Sequence, residues 1–151
     1  MKIVAIIPAR GGSKGIFKKN IIDFSEAPLL SWTIRQTQHS KYVDSVYVSS
    51  DDDEILNISE SYGALTIRRP ENISGDFASS ESCLHHFLQQ VDNVDVVLFL
   101  QPTSPLRETK DIDEAIEKFI EGNYDSMFSA TELKDFFIWT IKKDQLKSYN
   151  Y

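Results

Sequence analysis

An α/β fold with a mostly parallel sheet and helices on both faces is predicted by three features of the chain. β-Rich apolar runs take turns with segments whose apolar residues recur at three- and four-residue steps. The strongest of these runs are nearly uniformly apolar rather than alternating, as strands covered on both faces are. The segments that follow the runs are polar or charged in a way that simple connections do not require.

The elements follow in order. Lys2 to Ile7 is an apolar run that stops at Pro8, as a buried strand does on meeting a loop. Pro28 to His39 has a proline start and sets Leu30, Ile34 and Thr37 on one helical face. Ser45 to Ser49 is the second strand. Ile55, Ile58 and Tyr62 mark a second helix, with Gly63 where its C-terminus belongs. Ala64 to Ile67 is a short third strand, and Leu84, Phe87, Leu88 and Val91 form a further apolar stripe. Val94 to Leu100 is the clearest strand of all. The helix after it carries Ile112, Ala115, Ile116, Phe119 and Ile120 on one side and ends near Gly122, and Asp125 to Ala130 reads as a fifth strand.

At 151 residues the chain fits one domain, 1–151, and its 41% hydrophobic and 26% charged residues are those of a globular protein. A net charge of −7 and a pI near 4.9 exclude a general nucleic-acid binder, which needs a basic face to displace counterions. No membrane span is expected: Val94 to Leu100, interrupted by Asp95, is too short, and Met1-Lys2 opens no signal-peptide pattern. The expected location is the cytoplasm. The single Cys83 has no disulfide or metal-ligand partner, in keeping with a reducing compartment.

Against the acidic balance stands one acid-free stretch, Ile7-Pro8-Ala9-Arg10-Gly11-Gly12-Ser13-Lys14-Gly15-Ile16-Phe17-Lys18-Lys19-Asn20. It follows the first strand, and ligands of open parallel sheets bind outside the strands' carboxyl ends. Gly11, Gly12 and Gly15 permit positive φ and close backbone approach, so that successive N–H groups can face one anion, and Arg10, Lys14, Lys18 and Lys19 surround that cradle with charge. The chemistry suggested is polyphosphate binding; the alternative is a solvated basic loop. The stretch is neither a Walker loop nor a Gly-x-Gly-x-x-Gly fingerprint. Transition-state charge on a phosphate under attack calls for fixed cations, a role that suits Arg10 and Lys19. Gly11, Gly12, Ser13, Lys14 and Gly15 suit the outer phosphates, and Asn20, with donors and an acceptor, suits ribose or base.

This stretch, with Ser50-Asp51, Arg69-Pro70, Asp76, Ala78-Ser79-Ser80 and Gln101-Pro102-Thr103-Ser104-Pro105-Leu106-Arg107, resembles the acylneuraminate cytidylyltransferase family from about Lys2 to Ala130. The resemblance implies a Rossmann-like nucleotidyltransferase fold, transfer of CMP from CTP to an acidic nine-carbon sugar with release of pyrophosphate, Mg²⁺ as cofactor, and a homodimer. It also implies that Arg69, Ser80 and Gln101 line the cytosine and sugar side of the pocket; for Arg69 the alternative is a surface ion pair. Pseudaminate- or legionaminate-type acceptors and a nucleotide-binding module without catalysis are the other readings. The family has Pro where this chain has Phe17, and it continues past Tyr151 through its metal-binding aspartates. The chain is therefore expected to be a nucleotidyltransferase domain incomplete at its C-terminus, with its metal ligands unknown.

Other groups suggest chemistry less strongly. Asp51-Asp52-Asp53-Glu54 is expected to complement a helix dipole, although Asp51, at the strand end, keeps a claim on the site. His85 and His86 point to different sides of a helix and do not form a metal pair. Cys83 is expected to pack, and Phe136-Phe137-Ile138-Trp139 to serve as core or partner surface.

Overall fold

The computed structural model describes residues 1–132, 139–142 and 145–148. Four parallel strands, β1 (Ile3–Pro8), β2 (Ser45–Ser50), β3 (Leu65–Arg68) and β4 (Val96–Phe99), lie in the order β3-β2-β1-β4. The register pairs Val4 with Ser45, Ile3 with Val96 and Tyr47 with Leu65. β1 is central, and Ile3 to Ile7 are buried throughout, which accounts for a run with no polar alternation.

Helices cover both faces. α1 (Leu29–Gln38), α2 (Asp53–Ser61) and α4 (Thr109–Glu121) bury Leu30, Ile34, Ile55, Ile112 and Ile116 against Ile3, Ala5, Ile7 and Val48. α3 (Ser80–Leu88) covers the other face, where Cys83, Phe87 and Val91 pack on Val4, Ile6 and Ile67. Burying a side chain of Phe or Leu size contributes about 1.5–3 kcal/mol, so the fully buried Phe87 and Leu30 are principal anchors of the two layers. Of the stripe expected on α3, Leu88 is half-exposed; Cys83, one turn before Phe87, takes the sheet-facing place.

Capping explains where the helices begin. Asp52 accepts from the amides of Glu54 and Ile55 at the start of α2, and Ser79 accepts from Ser82 N at the start of α3. At α4, Glu108 and Asp111 form a reciprocal capping box.

Two expectations fare differently. Asp125 to Ala130 is not a strand: it has no sheet partner, and Phe128 is 87% exposed. A short apolar run becomes a strand only beside a neighbour that takes its hydrogen bonds, and none of the described residues offers one there. Phe136, Phe137 and Ile138 lie outside the described residues. Trp139 opens β5 (Trp139–Lys142), which pairs antiparallel with β6 (Gln145–Ser148) in a separate two-stranded sheet that the sequence reading did not anticipate.

Candidate functional site

The chain steps from β1 outward to β2 and β3 and then returns to β4 on the other side of β1, so the order reverses between β1 and β4. Loops leaving neighbouring strands part at such a point and open a crevice. A cleft of about 510 Å³ lies there. Its lining brings together Arg10, Ser13, Lys14, Gly15, Lys19 and Asn20 from the first loop, Arg69 from the third, Ser80 at the start of α3, and Gln101 from the fourth. Pro8, Ile16, Phe99, Pro102 and Thr103 complete it. Four cations and no carboxylate form the lining, an arrangement suited to a multiply charged anion in a protein that is acidic as a whole.

Of the candidate residues, Gly11 and Gly12 stand outside this lining. The Gly11 amide, expected to face phosphate, donates instead to Asp51 Oδ1 at 3.0 Å. A side chain at Gly11 would meet Asp52, with a Cβ 2.7 Å from Oδ2 and 2.8 Å from its Cβ. Gly11 is thus required by close approach to the cap of α2. Gly12 has open space around it. None of the loop's glycines uses positive φ; Lys18 does, at 48°, where it introduces a 3-10 turn at Lys19–Ile21. Lys18 lies outside the lining and pairs with Glu54.

The remaining loop groups are held in defined places. Asn20 is buried, and its side-chain amide donates to the Arg10 carbonyl at 2.9 Å, tying the loop's end to its beginning. Arg10 Nη1 donates to the Gly75 carbonyl at 3.2 Å and to Asp76 Oδ1 at 3.1 Å, and Lys14 pairs with the other Asp76 oxygen. The Lys14 hydrogen bond, aided by the charges of Lys14 and Arg10, holds the Asp76 carboxyl below the usual carboxylate range. Lys19 forms no ion pair among the described residues.

The two arginines at the end of β3 divide the roles that the sequence left open. Arg68 turns outward to the Asp51 carbonyl and to Asp53 Oδ1, both at 2.6 Å. Arg69 is 7% exposed and turns inward, its Nη2 donating to the Ser49 carbonyl at 3.3 Å, while its Nε is buried with no protein acceptor. A buried unpaired donor is costly in a folded protein, so an N–H left over beside a cleft is a group ready for a ligand acceptor. The same Ser49 carbonyl accepts from Ala9 N at 3.0 Å, which links the first loop to Arg69. Cys83 Sγ lies 3.6 Å from Ser49 Oγ and is otherwise packed in the core.

The fourth loop is braced by residues that sequence reasoning gave no separate role. Arg107 Nη2 donates to the Gln101 carbonyl at 3.3 Å, its pKa drawn down by burial. The side-chain amide of Gln36 in α1 donates to the Pro105 carbonyl at 2.7 Å, and the Gln36 backbone carbonyl accepts from Thr109 Oγ1. Contacts spanning about seventy positions leave no local signal.

Among the described residues there is no group of three or more His, Cys, Asp or Glu able to hold a metal. Asp51, Asp52 and Asp53 are committed to Gly11, to the cap of α2 and to Arg68.

A parallel sheet with a cation-lined cleft at its switch point defines an open α/β protein built to receive an anionic ligand. The chain belongs to the cytidylyltransferase family, whose profile matches residues 4–141. It is 42% identical over 139 residues to a pseudaminic acid cytidylyltransferase of Campylobacter jejuni, an alignment covering 89% of this chain and 60% of that protein. To N-acylneuraminate cytidylyltransferase A of Danio rerio it is 40% identical over 134 residues, covering 89% of this chain and 31% of that protein. The chain thus spans between about a third and three-fifths of these relatives. Among solved structures, it superposes on a CMP:2-keto-3-deoxy-manno-octonic acid synthetase complexed with CTP with a TM-score of 0.72 and 22% identity, covering 82% of this chain and 49% of that one. A 4-diphosphocytidyl-2C-methyl-D-erythritol synthase from Anaerococcus prevotii gives 0.70 at 20% identity, over 99% of this chain and 63% of that one. The fold is therefore the Rossmann-like nucleotidyltransferase fold. No described helix is long and apolar enough to cross a membrane.

Proposed function

We propose that the cleft binds CTP and that the chain carries the nucleotide-binding part of an enzyme transferring CMP from CTP to a nonulosonic acid, with release of pyrophosphate. The observation that carries this reading is the convergence of Arg10, Lys14, Lys19 and Arg69 on one acid-free cleft in a chain of the cytidylyltransferase family. Arg10 and Lys19 would stabilise charge growing at the α-phosphate, where fixed cations act without reorganising. Lys14 with Ser13 and Gly15 would hold the outer phosphates. Arg69, through its free Nε, would take an acceptor on the cytidine, with Asn20, Ser80 and Gln101 along the same wall. Gly11 and Gly12 would act by shaping the loop. The likeness to a pseudaminic acid cytidylyltransferase supports pseudaminate as one acceptor to test beside N-acetylneuraminate. The Mg²⁺ and homodimer that the resemblance implies belong to the proposal, as does a cytoplasmic location; no step is assigned to the metal.

Calorimetry tests the reading. CTP should bind more tightly than CMP, with a gap that narrows as salt screens the cation-phosphate attraction, and more tightly than UTP, which offers a different pattern of donors and acceptors. Equal affinity for CTP and UTP would overturn the cytidylyl assignment, and equal affinity for CTP and CMP would overturn the triphosphate cradle.

A further inference from the structure

Resting on the reading of the cleft as a phosphate site, we propose that Asp76 is an internal counter-anion of that site: it occupies Arg10 and Lys14 in the free protein and must be displaced by the incoming polyphosphate. Its two carboxylate oxygens divide between two cations that line the cleft, one pairing with Arg10 Nη1 at 3.1 Å and the other with Lys14 Nζ. The preceding Gly75 carbonyl takes the same Arg10 nitrogen, so the loop between β3 and α3 presents an anion and a dipole to it. Asp76 itself does not line the cleft. Lys19 and Arg69, the other two cations of the lining, make no ion pair among the described residues.

The arrangement resembles an exchange site. Arg10 and Lys14 side chains are 37% and 77% exposed and Asp76 is 35% exposed, so the pairs are open to competition by a solvated anion. Exposed ion pairs are individually weak, whereas a triphosphate offers several charges to the same cations at once. The carboxylate keeps the two side chains ordered and near the cleft, which lowers the entropy lost on binding, but its charge opposes the ligand. Asp76 therefore determines how tightly polyphosphate is held without contacting the base.

The test is calorimetric titration of wild type and Asp76→Asn with CTP, inorganic tripolyphosphate and cytidine. Asp76→Asn should bind CTP and tripolyphosphate about 3- to 10-fold more tightly, the size expected when one or two exposed ion pairs no longer compete, and cytidine unchanged. The gain should shrink in a Lys14→Met background, since the cation that Asp76 occupies is then gone. Thermal unfolding of each form checks that the fold is kept. Unchanged or weaker polyphosphate binding by Asp76→Asn, with wild-type binding intact, overturns the counter-anion. Tripolyphosphate binding without any preference for CTP would sink the cytidylyl reading and leave the counter-anion standing. Failure of both forms to bind any polyphosphate overturns both.

Discussion

The side-chain amide of Asn20 donates to the backbone carbonyl of Arg10 across a gap of 2.9 Å, in a residue only 5% exposed. This bond closes the first loop on itself and fixes where the Arg10 backbone turns into the cleft. Asn20→Asp should exchange the donor for an oxygen facing a carbonyl. Leaving such a buried group unsatisfied costs about 1–3 kcal/mol, with repulsion added. The expected result is a lower unfolding midpoint together with weaker CTP binding. A variant with wild-type midpoint and affinity would show that the bond does not hold the loop.

Gly11 and Gly12 should respond unequally to the same substitution. A methyl group at Gly11 would enter the space of Asp52, which caps α2, and overpacking of this kind costs about 1–3 kcal/mol. At Gly12 nothing lies within 4 Å and φ is ordinary, so Gly12→Ala should change stability by less than about 0.5 kcal/mol. Urea denaturation of the two variants separates them, and equal losses would contradict the close approach at Gly11.

The contrast marks what the sequence made legible. Glycine spacing, charge sign and position after the first strand pointed to the six first-loop residues that line the cleft, while Arg69, Ser80 and Gln101 were reached only through the family resemblance. The same signals could not tell which glycine faces the ligand and which faces Asp52, because that depends on how the end of β1 meets the start of α2. Arg68 and Arg69 are likewise chemically equivalent in sequence, and only the strand's alternation turns one outward and the other in. β1 was readable because an apolar run buried on both faces needs no tertiary knowledge, whereas Asp125 to Ala130 failed for want of a neighbour.

Acid should loosen the clamp between α4 and the bend before β2. Glu117 Oε1 accepts from Lys41 Nζ at 2.8 Å and from Tyr42 Oη at 2.7 Å, and these hydrogen bonds, Lys41's foremost, lower its pKa from the ordinary 4.5. A lowered folded pKa contributes stability that is present above 4.5 and lost as pH falls through the folded value. Lys41 and Tyr42 are shifted upward by the hydrogen bonds they make to Glu117, so their part is present below 10.0 and lost in strong alkali. The difference in unfolding midpoint between wild type and Glu117→Gln should therefore stay level from pH 6 to 8 and narrow toward acid. A difference that does not change with pH would assign the clamp to shape rather than charge.

Arg10 and Arg69 should leave different marks on nucleotide binding. Arg10 lies on the loop proposed to hold phosphates, while Arg69 keeps one nitrogen on Ser49 and another without a protein partner. Arg10→Ala should weaken both CTP and CMP and leave cytidine alone, since the missing charge acts on the α-phosphate that the two nucleotides share. Arg69→Lys retains the charge but loses the planar fork, and one ammonium cannot reach both the Ser49 carbonyl and the place where Nε now points. It should weaken CTP, CMP and cytidine by similar factors, on the order of 10-fold or more given that hydrogen bonds to charged groups contribute about 1.5–3 kcal/mol. Calorimetry with the three ligands against each variant reads the pattern, and thermal unfolding of Arg69→Lys checks that its uniform loss is not a loss of folding. If Arg69→Lys instead spared cytidine and penalised CTP over CMP, Arg69 would belong with the phosphate cations, and the cytidine wall would have to rest on Gln101, Ser80 and Asn20 alone.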